Sequence, residues 1–281
     1  SKNHFVGILT GDTTPTFKTD SSGFKPQGLN HLQENAVDLI LSANELAIVH
    51  GPPGTGKTTT LVQAIQGLVY QDRKQILVIA PSNTAVDLLS EKLSEAGLNV
   101  LRIGNPSRVS ERLQSLTLDH RMMEHSQMKE SRKLKKQASE FKNMAHKYKR
   151  NFGKSERDQR KALFDEAHRI MKEVGKTEQY IIDDLVNKAQ VITATLVGAN
   201  HYTIRNLEVN TVVIDEAGQA LEPACWVSLV KAKKVIFAGD HCQLAPTIKS
   251  DEAARQGLNR TLMEKCVEHH PEAVVLLEEQ Y

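Results

Sequence analysis

Long hydrophobic runs are missing from these 281 residues. No stretch approaches the roughly 18 consecutive apolar residues that a membrane-crossing helix needs, so no membrane span is expected. No secretory signal opens the chain. Cysteine is scarce: Cys225, Cys242 and Cys266 are the three in the chain. They lie far apart and lack the short spacings of a zinc site, so neither a metal knuckle nor a disulfide framework is expected. A reducing compartment follows as the expectation, cytoplasmic, or nuclear if the source is eukaryotic. What remains is ordinary for a globular protein, 40% hydrophobic and 25% charged, with length enough for one large domain or two. The formal net charge of +2 says little until its distribution is seen.

The informative stretch is Gly51-Pro52-Pro53-Gly54-Thr55-Gly56-Lys57-Thr58. An apolar run, Glu45 to His50, reads as a buried strand before it. Thr59 to Ile65 reads as a helix after it. A Gly-x-x-x-x-Gly-Lys-Thr pattern between a strand and a helix N-terminus is where a phosphate-binding loop must sit. Glycines let backbone N–H groups curl around a β-phosphate without a Cβ clash. Lys57 places a point charge on the β- and γ-phosphates, and the Thr58 hydroxyl can join Mg²⁺. The nucleotide-binding set is therefore Gly51 through Thr59, with Gln33 upstream as a candidate adenine reader. Gln33 lies in a helix starting near Leu29, with Asn30 as its N-cap and Glu34 reinforcing the first turn. Before that, Phe5, Val6, Ile8 and Leu9 suggest a short strand or turn, and 16–27 a loop.

Six further strands follow. Gln75–Ala80 ends in Pro81-Ser82-Asn83-Thr84, short polar residues suited to a nucleic-acid backbone; Ser82 or Asn83 would also cap the helix 84–96. Gly97–Gly104 reads as a helix stop and a strand. Gln190–Thr195 ends at Thr195 on the same rim as Ser82. Thr211–Ile214 ends in Asp215-Glu216, where Asp215 can hold Mg²⁺ and Glu216 can deprotonate an attacking water. Lys234–Ala238 ends in a loop containing Asp240 and Gln243. Gln243 suits a sensor of the γ-phosphate, and Asp240 a support for Gln243 or Mg²⁺. Ala273–Leu277 is a last strand. Cys225 and Trp226 are expected to pack on the sheet. Strand–loop–helix–strand order implies a parallel sheet with right-handed crossovers, whose ligands collect at the strands' carboxyl ends.

Residues 110–189 change character. From Arg121 to Lys176 there are 17 lysines and arginines against 8 acids, a net of +9, leaving −7 for the rest. Leu134, Ala138, Phe141, Ala145, Tyr148 and Phe152 keep a helical period, and Leu163, Ala167, Ile170 and Val174 repeat it after a break near Gly153. An inserted antiparallel helical pair with a narrow apolar seam is expected. Its charges either solvate a coil or touch phosphates. Few aromatics interleave them, so base stacking is not suggested.

In combination, the stretches Leu29-Asn30-x-x-Gln33, Gly51–Thr58, Ala80-Pro81-Ser82-Asn83-x-Ala85-Val86-Asp87, Ala194-Thr195-x-x-Gly198-Ala199, Asp215–Ala220 and Gly239-Asp240-x-x-Gln243-Leu244-x-Pro246 resemble the first motor domain of a superfamily 1 helicase. The similarity is to the 5′-to-3′ branch holding the nonsense-mediated decay and immunoglobulin mu-binding helicases, over about residues 27–281. The resemblance implies a RecA-like P-loop NTPase fold, α/β with a central mainly parallel sheet flanked by helices. Residues 1–109 and 190–281 would form the motor domain and 110–189 the inserted basic helical subdomain. It implies ATP and Mg²⁺ as ligands and that Gln33 contacts adenine. It also implies single-stranded DNA or RNA on Pro81, Ser82, Asn83 and Thr195, and a monomer. The family's arginine after Gln280-Tyr281, its second motor domain and an upstream barrel-like subdomain lie outside these residues. Arginine fingers are worth about 10³–10⁵ in rate, so this stretch alone is expected to bind ATP–Mg²⁺, hydrolyse it weakly and not unwind duplexes. A second reading stays open: a nucleotide-dependent switch or remodelling ATPase acting on a protein partner. No guanine-reading Asn-Lys-x-Asp is present to favour GTP.

Overall fold

The computed structural model describes residues 2–19, 23–147, 153–240 and 246–278. Two compact units separate, one formed by residues 1–117 with 189–281, the other by 118–188.

The larger unit is built on a seven-stranded sheet. Its strands are β1 (Leu46–His50), β2 (Ile76–Ala80), β3 (Val100–Arg102), β4 (Val191–Thr195), β5 (Thr211–Ile214), β6 (Lys234–Gly239) and β7 (Val274–Leu276). Their order is β3-β4-β2-β5-β6-β1-β7, and every pairing is parallel. Parallel strands bury both faces, which is why β2 reads Ile-Leu-Val-Ile-Ala without a polar break and is buried throughout. Two helices precede the first strand, α1 (Lys2–Thr10) and α2 (His31–Ser42); α3 (Lys57–Asp72) crosses from β1 to β2 and α4 (Asn83–Glu95) from β2 to β3. Leu61, Ala64, Ile65 and Leu68 of α3 and Val37, Ile40 and Leu41 of α2 pack into one core with Ala47, Val49 and Ile236 of the sheet. The fold is the RecA-like α/β arrangement.

Two expectations change. Residues 2–10 form a helix rather than a strand or turn. Phe5, Ile8 and Leu9 are its buried residues, and a 5/8/9 spacing is a helical face. Residues 110–117 belong with the sheet, not with the helical segment expected from 110. Val109, Leu113 and Leu116 form a small core there, and the Ser110 N–H donates to Asp87 Oδ2 at 3.0 Å.

The smaller unit comprises α5 (Leu118–Glu124), α6 (Met128–His146) and α7 (Lys154–Lys188). Contacts between His125 and Asp184, Lys135 and Glu178, and His146 and Phe164 run in opposite chain directions, so α6 and α7 are antiparallel. Ala138, Ala145, Ala167, Ile170 and Val174 are buried along the seam, and small alanines let the helices approach closely. Phe141 is only half-buried. Tyr148 and Phe152, also assigned to the seam from sequence, lie outside the described residues. In the larger unit α8 (Glu222–Leu229) buries Cys225, whereas Trp226 is half-exposed and its indole donates to Glu222 Oε1 at 3.1 Å.

One lysine is built into the sheet unit's core. Lys234 is 3% exposed, and its ammonium donates to the carbonyls of Ile40 (2.5 Å) and Ala43 (2.6 Å). Those carbonyls lie at the C-terminal end of α2, where no intrahelical donor remains. Burial pushes the Lys234 pKa down to about 8 from 10.5. The unfolded chain therefore holds more protons between those values, and this residue's contribution to stability rises as pH climbs from 8 to 10.5. Lys234→Met is expected to destabilise the protein by about 1–3 kcal/mol, because two helix-end carbonyls lose their donor. It should also flatten the alkaline slope; urea titrations of both proteins at pH 7, 8.5 and 10 check both effects.

Candidate nucleotide site and strand-tip rim

Residues 51–56 link β1 to α3, as the spacing predicts. Gly56 takes φ +75°, the left-handed region, and a Cβ there would meet Gln33 Nε2 at 2.3 Å. The left-handed backbone is what favours glycine here; a Cβ would also force the Gln33 carboxamide to shift. Thr55 is buried, its hydroxyl donating to the Pro52 carbonyl at 2.9 Å. Behind the loop, Asn30 and Gln33 form a capping box. The Gln33 N–H donates to Asn30 Oδ1 (2.8 Å), and Gln33 Oε1 accepts from the Asn30 N–H (3.0 Å). Gln33 Nε2 donates to the Thr55 carbonyl (3.1 Å). Gln33, not Glu34, completes the cap, and its amide ties α2 directly to the loop.

Beside the loop lies a cleft of about 430 Å³. Pro53, Gly54, Gly56, Lys57 and Thr58 line one side. Asp215 and Glu216 from the end of β5 and Asp240 from the end of β6 line the other. Gly218, Gln219 and Gly239 complete it, the first two from the segment after Glu216. Gly51, Pro52 and Thr55 support the loop without lining the cleft, and Thr59 is exposed on the first turn of α3. Gln243 lies outside the described residues.

The strand order explains the geometry. β6 separates β1 from β5, so the loop and the Asp215-Glu216 pair face each other across the end of β6. That approach is close: a Cβ on Gly239 would sit 3.0 Å from the backbone nitrogens of Ala217 and Gly218. Glu216 adopts φ +51°, ψ +36°. A side-chain-bearing residue in the left-handed region costs about 1–2 kcal/mol and is held there by its surroundings.

Charges in the cleft are mutually dependent. The Lys57 ammonium donates to the carbonyls of Gly51 (2.6 Å) and Pro52 (2.7 Å). Burial lowers its pKa, against the pull of Asp215, Asp240 and Glu216. Burial raises the Asp215 pKa from 3.8 to about 6, with repulsion from Glu216 adding and Lys57 and a backbone hydrogen bond opposing. Asp240 Oδ1 lies 3.2 Å from His50 Nε2. His50 was not singled out from the sequence; its one signal is a titratable residue closing an apolar strand.

The donor set suits a magnesium ion. Asp215 and Thr58 both line the cleft, and a carboxylate and a hydroxyl are hard oxygen ligands of the kind a hard cation takes. Among the described residues no group of three or more His, Cys, Asp or Glu could hold a metal by itself. Magnesium commonly takes one or two carboxylates with phosphate and water oxygens supplying the rest, so two protein ligands suffice.

The rim residues fall on neighbouring strand tips, since Ala80 of β2 pairs with Thr195 of β4. Ser82 caps α4 by accepting from the Ala85 N–H at 3.1 Å. Its hydroxyl also lies 3.4 Å from Glu216 Oε2, linking the rim to the cleft. Thr195 Oγ1 accepts from the Gly198 N–H at 3.0 Å. Pro81 and Asn83 are half-buried at the same edge, and Thr84 is exposed.

Comparison with known proteins now decides the family. Residues 28–251 match the family described as an AAA domain. The chain belongs to this family. DNA-binding protein SMUBP-2 of Mesocricetus auratus is 37% identical over 294 residues, covering 98% of the chain and 28% of that protein. The regulator of nonsense transcripts 1 homolog of Arabidopsis thaliana is 37% identical over 242 residues (85% and 18%). ATP-dependent helicase NAM7 of Saccharomyces cerevisiae is 38% identical over 258 residues (90% and 24%). The chain thus spans between a sixth and a third of the length of these relatives. These similarities agree with the resemblance of the motifs to superfamily 1 helicases. An arterivirus nonstructural protein 10 helicase solved with DNA aligns at TM-score 0.40 and 13% identity, over 86% of this chain and 37% of that one.

Asp215→Asn tests the burial cost in this AAA domain. The folded state holds the Asp215 proton up to about pH 6 and the unfolded state only to 3.8, so this carboxylate's contribution to stability falls as pH rises through that window. Nucleotide-free Asp215→Asn is expected to exceed the parent by about 1–3 kcal/mol at pH 7.5. The gain should vanish near pH 4 in denaturant titrations.

Proposed function

We propose that this chain is the ATP-binding motor half of a nucleic-acid helicase. It takes ATP–Mg²⁺ in the cleft and a single strand of DNA or RNA on the rim, and moves 5′-to-3′ when completed by a second RecA-like domain. The observation that carries the reading is the meeting of Lys57, Asp215 and Glu216 around one cleft, with Ser82 of the rim against Glu216.

In this reading the backbone N–H groups of the loop and the Lys57 ammonium bind the β- and γ-phosphates. Thr58 and Asp215 hold Mg²⁺, which when bound neutralises charge on the phosphate oxygens. Glu216 orients the attacking water and takes its proton as the oxygen bonds to the γ-phosphorus and the bond to ADP breaks. Gln243, following Asp240, senses the γ-phosphate. Gln33 holds the loop at Thr55 and reads adenine with its remaining hydrogen-bonding capacity. Pro81, Ser82, Asn83 and Thr195 contact the strand's backbone. Closure of the second domain supplies the arginines, so these residues alone turn over ATP slowly.

Lys57→Ala is expected to weaken binding of a fluorescent ATP analogue about tenfold or more. Glu216→Gln should keep that affinity and lower poly(dT)- or poly(U)-stimulated turnover by about 10²-fold or more. Turnover or nucleotide affinity that ignores both polymers would instead indicate a protein-directed switch. Within the helical unit, Lys135 is engaged by Glu178, so exposed Lys133 and Lys136 are the better probes of the basic face. Replacing both with Gln should lower the salt slope of polymer binding by about 1; an unchanged slope means the charges only solvate the helices.

A further inference from the structure

Arg102 has no place in the machinery above, yet it is among the largest fully buried side chains, 1% exposed. It ends β3, opposite Thr193 of β4. A guanidinium carries five N–H donors and no acceptor, and a buried one must be answered by acceptors. Three separate groups answer it. Nε donates to Asp87 Oδ1 at 3.1 Å, Nη1 to the Ile103 carbonyl at 2.6 Å, and Nη2 to Asn83 Oδ1 at 2.9 Å. The other Asp87 oxygen takes the Ser110 N–H at 3.0 Å. Asn83 and Asp87 are one turn apart on α4, so they share a helix face. One arginine therefore staples the start of α4 at two points, one turn apart.

The staple has a directional consequence. The two ends of a carboxamide differ chemically, but a guanidinium can only donate. It therefore dictates that Asn83 turns its oxygen inward, and the NH₂ is left on the opposite branch. Among the described residues, Asn83 Nδ2 donates to no protein group, and Asn83 is half-exposed at the rim beside Ser82. The rim consequently offers two N–H donors at this point and no amide acceptor. A phosphodiester backbone offers acceptors.

We propose that Arg102 is a positioning residue for strand binding: it fixes the Asn83 carboxamide with its NH₂ facing out, so that the rim donates to a phosphate oxygen. This rests on the nucleic-acid reading of the rim. It adds a named orienting residue and a polarity for the contact.

The test is a set of variants of the whole chain, read by binding to fluorescein-labelled oligo(dT) at low salt. Asn83→Asp keeps an acceptor for Arg102, so its melting temperature should not fall. It replaces the outward donor by a negative oxygen, so affinity for the strand should drop about tenfold or more, and further than in Asn83→Ala. Added salt should narrow the gap between Asn83→Asp and Asn83→Ala, because their difference is charge repulsion. Arg102→Lys keeps the charge beside Asp87 but loses the fork that reaches Asn83. It should weaken strand binding in the parent and change it less than twofold in the Asn83→Ala background. Asn83→Asp binding as tightly as the parent would overturn the outward-donor assignment while leaving the rim as a nucleic-acid site. Equal losses from Arg102→Lys with and without Asn83 would reduce Arg102 to a general structural role. A parent chain that does not bind oligo(dT) or oligo(U) at all would remove the nucleic-acid reading itself, and this inference with it.

Discussion

The parallel pairing of β1, β6 and β5 is the constraint on which the rest depends. Parallel strands put all their carboxyl ends on one edge of a sheet, and the loops leaving that edge must share space. Val49 pairs with Ala238, and Ile214 with Phe237. This register brings the end of each strand to nearly the same level. A phosphate loop, an acidic pair and Asp240 then surround one cleft without any long side chain having to reach for it. Had β5 run antiparallel, Asp215 would stand at the far edge of the sheet.

That convergence is held at a cost. Asp215 is buried where its charge is unwelcome, Glu216 sits in a left-handed backbone conformation, and Gly239 leaves almost no room beneath the segment carrying Gly218. These features lie within a few residues of one another, at the site to which the chemistry is assigned. A charged, strained cleft held against an otherwise apolar sheet is poised for a ligand that brings compensating charge. The stability spent there is supplied by the β-sheet core, where Leu46, Ile48, Leu77 and Val212 are essentially inaccessible to water.

The rim and the cleft are also joined. Ser82 caps α4 and approaches Glu216, while Arg102 binds the same end of α4 through Asn83 and Asp87. A shift at the start of α4 would be felt by the residue proposed to activate water. This short path, two side chains long, is a physical means by which a strand on the rim could alter hydrolysis.

Residue type and spacing alone determined the phosphate loop, the buried strands, the Asp215-Glu216 ending and the alternation of strands and helices, because each is encoded within a window of ten residues or so. The sequence also marked the basic character of the helical segment. Other features are decided only by distant parts of the chain. The placing of β6 between β1 and β5 depends on which strand edges pair. The start of the separate helical unit at Leu118 depends on Leu113 and Leu116 finding the small core beside Val109. The helix over residues 2–10 depends on which face of a short apolar segment meets the core. Gln33, a candidate adenine reader in the sequence, is also a tie between a helix cap and the loop. Arg102 was not singled out in the sequence; its partners Asn83 and Asp87 lie about 15 to 19 positions earlier. Local pattern specifies period and turn chemistry, whereas the partner of a buried charge is set by packing between elements that the sequence separates.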